Sequence, residues 1–245
     1  MTQKSSVLSE VYRGTFPIAP TPFTEGGELD LPGQRQVVDC MIDQGVDGIC
    51  ILANYSEQFL LTDLERNTLL DVCLEHVTDR VPVIVTCSHF STRIAVERAR
   101  QAEWAGAAMV MMMPPYHGTG LRADERAILE HFSEVAESIS IPIMVQDAPL
   151  SGVTLSVDLL AQLATAVPQV GYFKIEMPNT ADKLRSLIAS APNMVVGPFD
   201  GEEGITLLAD LDAGATGTMP SALIPDLIKP VLEYRGIGDR EKAES

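Results

Sequence analysis

Lys174 stands inside the run Val170-Gly171-Tyr172-Phe173-Lys174-Ile175-Glu176, where apolar strand formers surround it. A lysine in such a setting is uncommon, because an ammonium is costly to bury unless paired or neutral. Burial favours the uncharged amine, which can attack a ketone carbon and form an imine. The two-residue period of a strand puts Lys174 and Glu176 on one face. The local sequence therefore leaves two readings open. Lys174 is a nucleophile, or it is satisfied by an ion pair with Glu176 or by solvent at the strand end.

Other polar residues follow apolar runs in the same way. Asn54-Tyr55-Ser56-Glu57 is either a capping turn or a cradle whose amides and side chains hold a carboxylate. In Pro114-Pro115-Tyr116-His117-Gly118, Tyr116 is a phenol able to relay protons, or a packed loop residue. Gln146, in Gln146-Asp147-Ala148-Pro149, points inward if its strand alternates regularly. It can donate and accept hydrogen bonds but is no acid or base near neutrality. Gly197, read as closing a strand before Pro198-Phe199-Asp200, is a turn residue or a point of close ligand approach.

The elements that must position these residues alternate along the chain. Strand candidates fall at 15–19, 48–53, 82–87, 108–113, 142–146, 170–175, 194–197 and 215–219. Most are continuous apolar runs, the pattern of parallel strands buried on both faces. Helices are expected from 62, with Thr62-Asp63-Leu64-Glu65 as an acidic first turn, and over 91–104, 124–137, 180–190 and 201–211. A helix–glycine–strand junction recurs in Gln44-Gly45-Val46-Asp47-Gly48, Trp104-Ala105-Gly106-Ala107-Ala108 and Asp212-Ala213-Gly214-Ala215-Thr216-Gly217. The unit repeats at roughly thirty residues, and no GxGxxG turn follows an early strand. An α/β fold of the (β/α)8 TIM-barrel type is therefore expected rather than an open doubly wound sheet. Its active site would sit where strands end in loops.

The length of 245 residues suits one such barrel. The formal net charge of −17 and absence of a basic patch argue against nucleic acid or anionic lipid as partners. An anionic substrate must then be held by local donors. No segment reaches the roughly 18 apolar residues of a membrane span, and Met1-Thr2-Gln3-Lys4-Ser5-Ser6 lacks a secretory apolar run. A cytoplasmic protein with no membrane partner is the expectation. Cys40, Cys50, Cys73 and Cys87 form no CxxC pair or Cys/His cluster, so buried free thiols are expected and no metal site.

Taken in order, these features resemble the dihydrodipicolinate synthase and N-acetylneuraminate lyase superfamily of class I aldolases and dehydratases. The resemblance covers nearly the whole chain. Thr21-Pro22-Phe23, Val81-Pro82-Val83-Ile84, Ile141-Pro142-Ile143 and Phe173-Lys174-Ile175-Glu176 carry it. The last falls where the family has its Ile-Lys-Glu segment with the Schiff-base lysine. The family's Gly-Thr-Thr-Gly-Glu reads Ala53-Asn54-Tyr55-Ser56-Glu57 here, and its Tyr-Asn-Val-Pro reads Gln146-Asp147-Ala148-Pro149. A proton-relay tyrosine of the family is thus replaced by Gln146. Met113-Pro114-Pro115-Tyr116-His117, with the other two phrases, is similar to the branch of 2-keto-3-deoxy-L-arabonate dehydratases.

The resemblance implies a Schiff-base lyase that converts a 2-keto-3-deoxy sugar acid, 2-keto-3-deoxy-L-arabonate, to 2,5-dioxopentanoate and water. Lys174 would form the imine and Tyr116 would shuttle protons. Asn54, Tyr55 and Ser56 would fix the carboxylate, while Gln146 orients hydroxyls. The imine itself is the electron sink, so no cofactor and no metal are expected. The alternatives are a pyruvate-forming class I aldolase, a condensing enzyme of the family, or a non-catalytic keto-acid-binding barrel. A homo-oligomer, dimer or tetramer, is also implied. The expected organisation is a catalytic barrel over 1–235, with 236–245 beginning a C-terminal helical region that is otherwise largely absent.

Overall fold

Strands apolar on both faces need helices outside the sheet and a filled interior. The computed structural model, which describes residues 7–115 and 123–244, has both. Among the described residues eight parallel strands form one sheet. They are β1 (Gly14–Thr15), β2 (Ile49–Ile51), β3 (Val83–Thr86) and β4 (Met109–Met112), then β5 (Ile143–Asp147), β6 (Val170–Ile175), β7 (Gly197–Asp200) and β8 (Gly217–Thr218). Their order is β1-β8-β7-β6-β5-β4-β3-β2. Beyond β1, Ile18 bridges Cys50 on one side and Ser221 on the other, and the Ala19 amide donates to Cys50 O at 2.8 Å. The sheet is therefore a closed (β/α)8 barrel.

The outer layer, among the described residues, comprises α1 (Leu31–Asp43), α2 (Asp63–Val77), α3 (Thr92–Trp104), α4 (Glu125–Ser138) and α5 (Val157–Ala166). It continues with α6 (Thr180–Ser190), α7 (Leu207–Asp212), α8 (Pro225–Gly236) and α9 (Arg240–Ala243). Helix α2 begins with a reciprocal capping box, Thr62 Oγ1 accepting from the Glu65 amide and Glu65 Oε2 from the Thr62 amide. The recurring junction glycines, Gly45, Gly106 and Gly214, all lie at positive φ, 76°, 98° and 107°, and end helices before the next strand.

Alternation sorts the strand residues into two cores. Inward residues Phe16, Ile18, Cys50, Ile84, Met109, Met111, Met144, Tyr172, Phe199 and Met219 fill the barrel. Outward ones such as Val85, Met112, Val145, Phe173 and Ile175 pack under the helices. The methionine run is thus shared between both layers. Tyr172 closes the floor, its hydroxyl donating to Glu10 O at 3.1 Å and accepting from the Tyr12 amide at 3.2 Å.

Several expected elements differ. β7 lies over Gly197–Asp200, not 194–197, so Gly197 opens the strand instead of closing it. Its register is set by pairing, Tyr172 with Gly197 through Ile175 with Asp200. Asp200 can end a buried strand because Thr218 Oγ1 donates to it at 2.6 Å and the Glu202 amide at 3.0 Å. The helix expected over 201–211 starts only at Leu207. Gly201 and Gly204, the latter at φ 77°, disfavour helix in the preceding turn. Strand β1 is shorter than expected, since Pro17 has no amide to donate. Among the cysteines, Cys50, Cys73 and Cys87 are buried and free, but Cys40, in α1, is exposed.

Candidate active site

The inward row of β6 runs from the floor to the mouth of the barrel as Tyr172, Lys174, Glu176. Lys174 is only 4% exposed, and its Nζ lies 2.6 Å from Glu176 Oε1. The neighbouring strand brings in Gln146, register partner of Lys174. Its Nε2 donates to the same Glu176 oxygen at 2.8 Å. Gln146 points inward as alternation requires and is wholly buried. Its Oε1 has no hydrogen-bond partner among the described residues.

Lys174 and Glu176 line a pocket of about 220 Å³ together with Ile18, Asn54, Tyr55, Pro149, Leu150 and Gly201. The ion-pair reading of Lys174 is what the geometry realises, and the paired side chain also lines this pocket. The wider mouth contains no group of three or more His, Cys, Asp or Glu residues able to hold a metal among the described residues.

Asn54 to Ser56 form one 3-10 turn after β2. The first amides of such a turn have no acceptor within it, so Asn54 and Tyr55 present N–H groups as well as side chains. Asn54 Oδ1 is held by Gln58 Nε2 at 2.7 Å. Burial, then the neighbouring Glu203 carboxylate, raises the Tyr55 pKa, so the phenol stays protonated. Glu203 is itself fixed by the Ser221 amide and hydroxyl, each at 2.9 Å. Tyr55 and Glu203 thereby join the loop after β2 to the loop after β7.

Ser56, expected among the carboxylate ligands, has its hydroxyl committed to backbone. It donates to Ala19 O at 2.6 Å and accepts from the Ala53 amide at 3.1 Å. It shapes the turn instead of facing the pocket. Gly197 also sits away from the mouth, where a Cβ would meet Tyr172 Cδ1 at 2.2 Å. It makes room for the floor tyrosine. The glycine at the mouth is Gly201, whose added Cβ would lie 2.3 Å from Glu176 Cγ and 3.0 Å from Lys174 Cγ. Tyr116 lies outside the described residues.

Sequence reading alone treated Glu176 only as an ion-pair partner, although its place two residues from Lys174 was signal enough to put it in the site. Gly201, Pro149 and Leu150 were missed because no local pattern marks them. The first needed the true register of β7, the others the path of the loop after β5.

A model of the dihydrodipicolinate synthetase family matches residues 12–245. The chain is 56% identical over 222 residues to an L-2-keto-3-deoxyarabonate dehydratase of Azospirillum brasilense, spanning 91% of this chain and 72% of that one. It is 28% identical over 236 residues to a 4-hydroxy-tetrahydrodipicolinate synthase of Maridesulfovibrio salexigens, 95% of this chain and 78% of the other. Its fold overlays on YagE, a prophage protein of the dihydrodipicolinic acid synthase family from Escherichia coli K12 solved in complex with pyruvate. That match has a TM-score of 0.86 at 27% identity and covers 96% and 79% of the two chains. The buried strand lysine, the closed barrel around it and a family match over almost the full length agree: this chain belongs to the dihydrodipicolinate synthetase family.

Proposed function

We propose that this chain is a hydro-lyase that dehydrates 2-keto-3-deoxy-L-arabonate to 2,5-dioxopentanoate through an imine on Lys174. The observation that carries the reading is the contact of Lys174 Nζ with Glu176 Oε1 at 2.6 Å, with Gln146 where the family resemblance has a tyrosine. The 56% identity to a dehydratase of that substrate class supports it.

In this reading the substrate carboxylate sits on the Asn54–Tyr55 turn and C2 faces Lys174. Nζ adds to the C2 ketone, and loss of water leaves a protonated imine. That imine draws electrons from C3, so the C3 proton can leave and an enamine forms. The enamine electron pair then expels the C4 hydroxyl, which departs as water after taking a proton. A C5 proton is lost from the conjugated iminium that results. Reprotonation at C3 and C4 turns the C5 alcohol into the aldehyde, and hydrolysis frees Lys174.

Glu176 is the carboxylate placed to hold a proton at Nζ and beside C3. Gln146 fixes its orientation and offers Oε1 to a substrate hydroxyl. Tyr116, which follows β4 in the sequence, is a second proton carrier. The imine takes the electron-sink role that a cofactor fills elsewhere, so none is invoked. The catalytic unit is the barrel over 1–235. The protein works in the cytoplasm as a homo-oligomer acting on a small keto acid. Among the described residues no helix is long and apolar enough to cross a membrane.

The test is product analysis with purified protein on 2-keto-3-deoxy-L-arabonate, with Lys174→Ala as control. 2,5-Dioxopentanoate is the expected product. Pyruvate plus an aldehyde would mean an aldolase, and keto-acid binding without turnover a non-catalytic barrel. Borohydride reduction with pyruvate should leave an adduct on Lys174, and its absence from folded protein ends the imine reading.

A further inference from the structure

We propose that the buried Asp147–Lys183 ion pair is a positioning device that fixes the loop after β5 as a rigid apolar wall, and that Leu150 on this wall limits the length of keto acid accepted. The proposal rests on the imine chemistry assigned to Lys174 above.

Asp147 ends β5 with its side chain on the outward face, opposite Gln146, so it cannot touch a ligand in the barrel mouth. It is nonetheless wholly buried. Lys183, from α6, places Nζ 2.5 Å from Asp147 Oδ2 and donates to Leu155 O at 2.6 Å. The Leu155 amide donates to Asp147 Oδ1 at 3.3 Å. The pair therefore satisfies both backbone groups of one residue and ties the two ends of segment 148–155 together. Within the segment Ser151 is buried. Its hydroxyl lies 2.9 Å from the carbonyls of Ala148 and Val153 and accepts from the Val153 amide at 3.1 Å. Asp147 O also accepts from the Glu176 amide at 3.0 Å, which links the same strand end to the catalytic row.

What the stapled segment delivers is Pro149 and Leu150, both on the pocket wall with Lys174, Glu176 and Gly201. Leu150 is 55% exposed, so core packing does not account for its apolar side chain. With C2 held at Lys174, the rest of the carbon chain must fit against the other lining residues, and Leu150 is an apolar one among them. Buried ion pairs add little stability over apolar replacements but can specify geometry. A wall that selects length needs fixed position more than added stability.

The experiment is competitive borohydride trapping of pyruvate, 2-oxopentanoate and 2-oxoheptanoate by the full chain, read as adduct mass. This needs imine formation but no dehydration. The native protein should trap the two shorter acids in preference to 2-oxoheptanoate. Leu150→Ala should raise 2-oxoheptanoate relative to 2-oxopentanoate by about 10-fold or more, the range for pocket methylenes. Lys183→Met alone leaves an unpaired buried carboxylate and could fail to fold. The neutral double variant Asp147→Asn/Lys183→Met, checked by its melting transition, should fold and shift the ratio in the same direction. An unchanged ratio in either folded variant overturns the proposal while leaving the imine intact. No adduct on Lys174 in the native protein overturns both.

Discussion

Lys174 Nζ and Gln146 Nε2 converge on one oxygen, Oε1 of Glu176, at 2.6 and 2.8 Å. One contact runs along β6 and the other crosses from β5, so the carboxylate is held from two strands. In the proposed imine chemistry, the Lys174 amine, which must lose a proton before attacking a ketone, is thereby placed against a group able to accept it. The arrangement also explains why a glutamine suffices at 146. In the proposed reaction its part is orientation, and the proton work is assigned to Glu176.

Glu176→Gln preserves size and the ability to accept from Gln146, but removes the proton acceptor. Turnover should fall by about 10²–10⁴-fold, the usual contribution of a positioned acid–base group. Borohydride trapping on Lys174 should persist at a lower rate. Steady-state turnover beside adduct mass separates the two steps, and turnover within a few-fold of native would remove Glu176 from the mechanism.

Gly201→Ala would drive a methyl to 2.3 Å from Glu176 Cγ and 2.9 Å from Ile175 O. Relief requires moving the carboxylate or the end of β6. A displacement near 1 Å is worth about 10²-fold in rate, so kcat/KM should drop by that order. The melting transition should still show a folded protein. Native-like activity would mean that the mouth is looser than these distances require.

Ser56→Ala leaves the Ala53 amide and the Ala19 carbonyl without their shared partner. Stability should fall by about 1–3 kcal/mol, measured by denaturant unfolding. A loss confined to substrate KM, with no change in stability, would return Ser56 to the ligand-binding set.

Asp200 has its pKa pushed up to about 6 from an ordinary 3.8. Burial is the main cause, opposed by the Thr218 hydroxyl and the Glu202 amide and reinforced by the Asp210 and Glu202 carboxylates. Between those two values the folded state binds a proton that the unfolded chain has released. This group's contribution to stability is therefore full below about pH 4 and is lost as pH rises through about 6. The change is at most about 3 kcal/mol. Unfolding free energy followed from pH 4 to 7 should decline more in the native protein than in Asp200→Asn, and parallel curves would refute the assignment.

Much of this molecule was legible along the chain. Continuous apolar runs, the Gly45, Gly106 and Gly214 junctions and the Thr62–Glu65 box announced strands, helices and their alternation. These features report forces between near neighbours, namely backbone capping and burial on both faces of a strand. Lys174 stood out for the same reason, and alternation put Glu176 beside it.

Only the tertiary structure decided which polar groups serve the pocket and which serve the backbone. Ser56 found a partner 37 residues away, and Gln146 one 30 residues away. Asp200 became a strand residue because Thr218 satisfies it across the sheet, and that shifted the register that brings Gly201 to the mouth in place of Gly197. The physical reason is common to all of them. A buried polar atom must be satisfied, but nothing in its own segment says which distant strand will supply the partner.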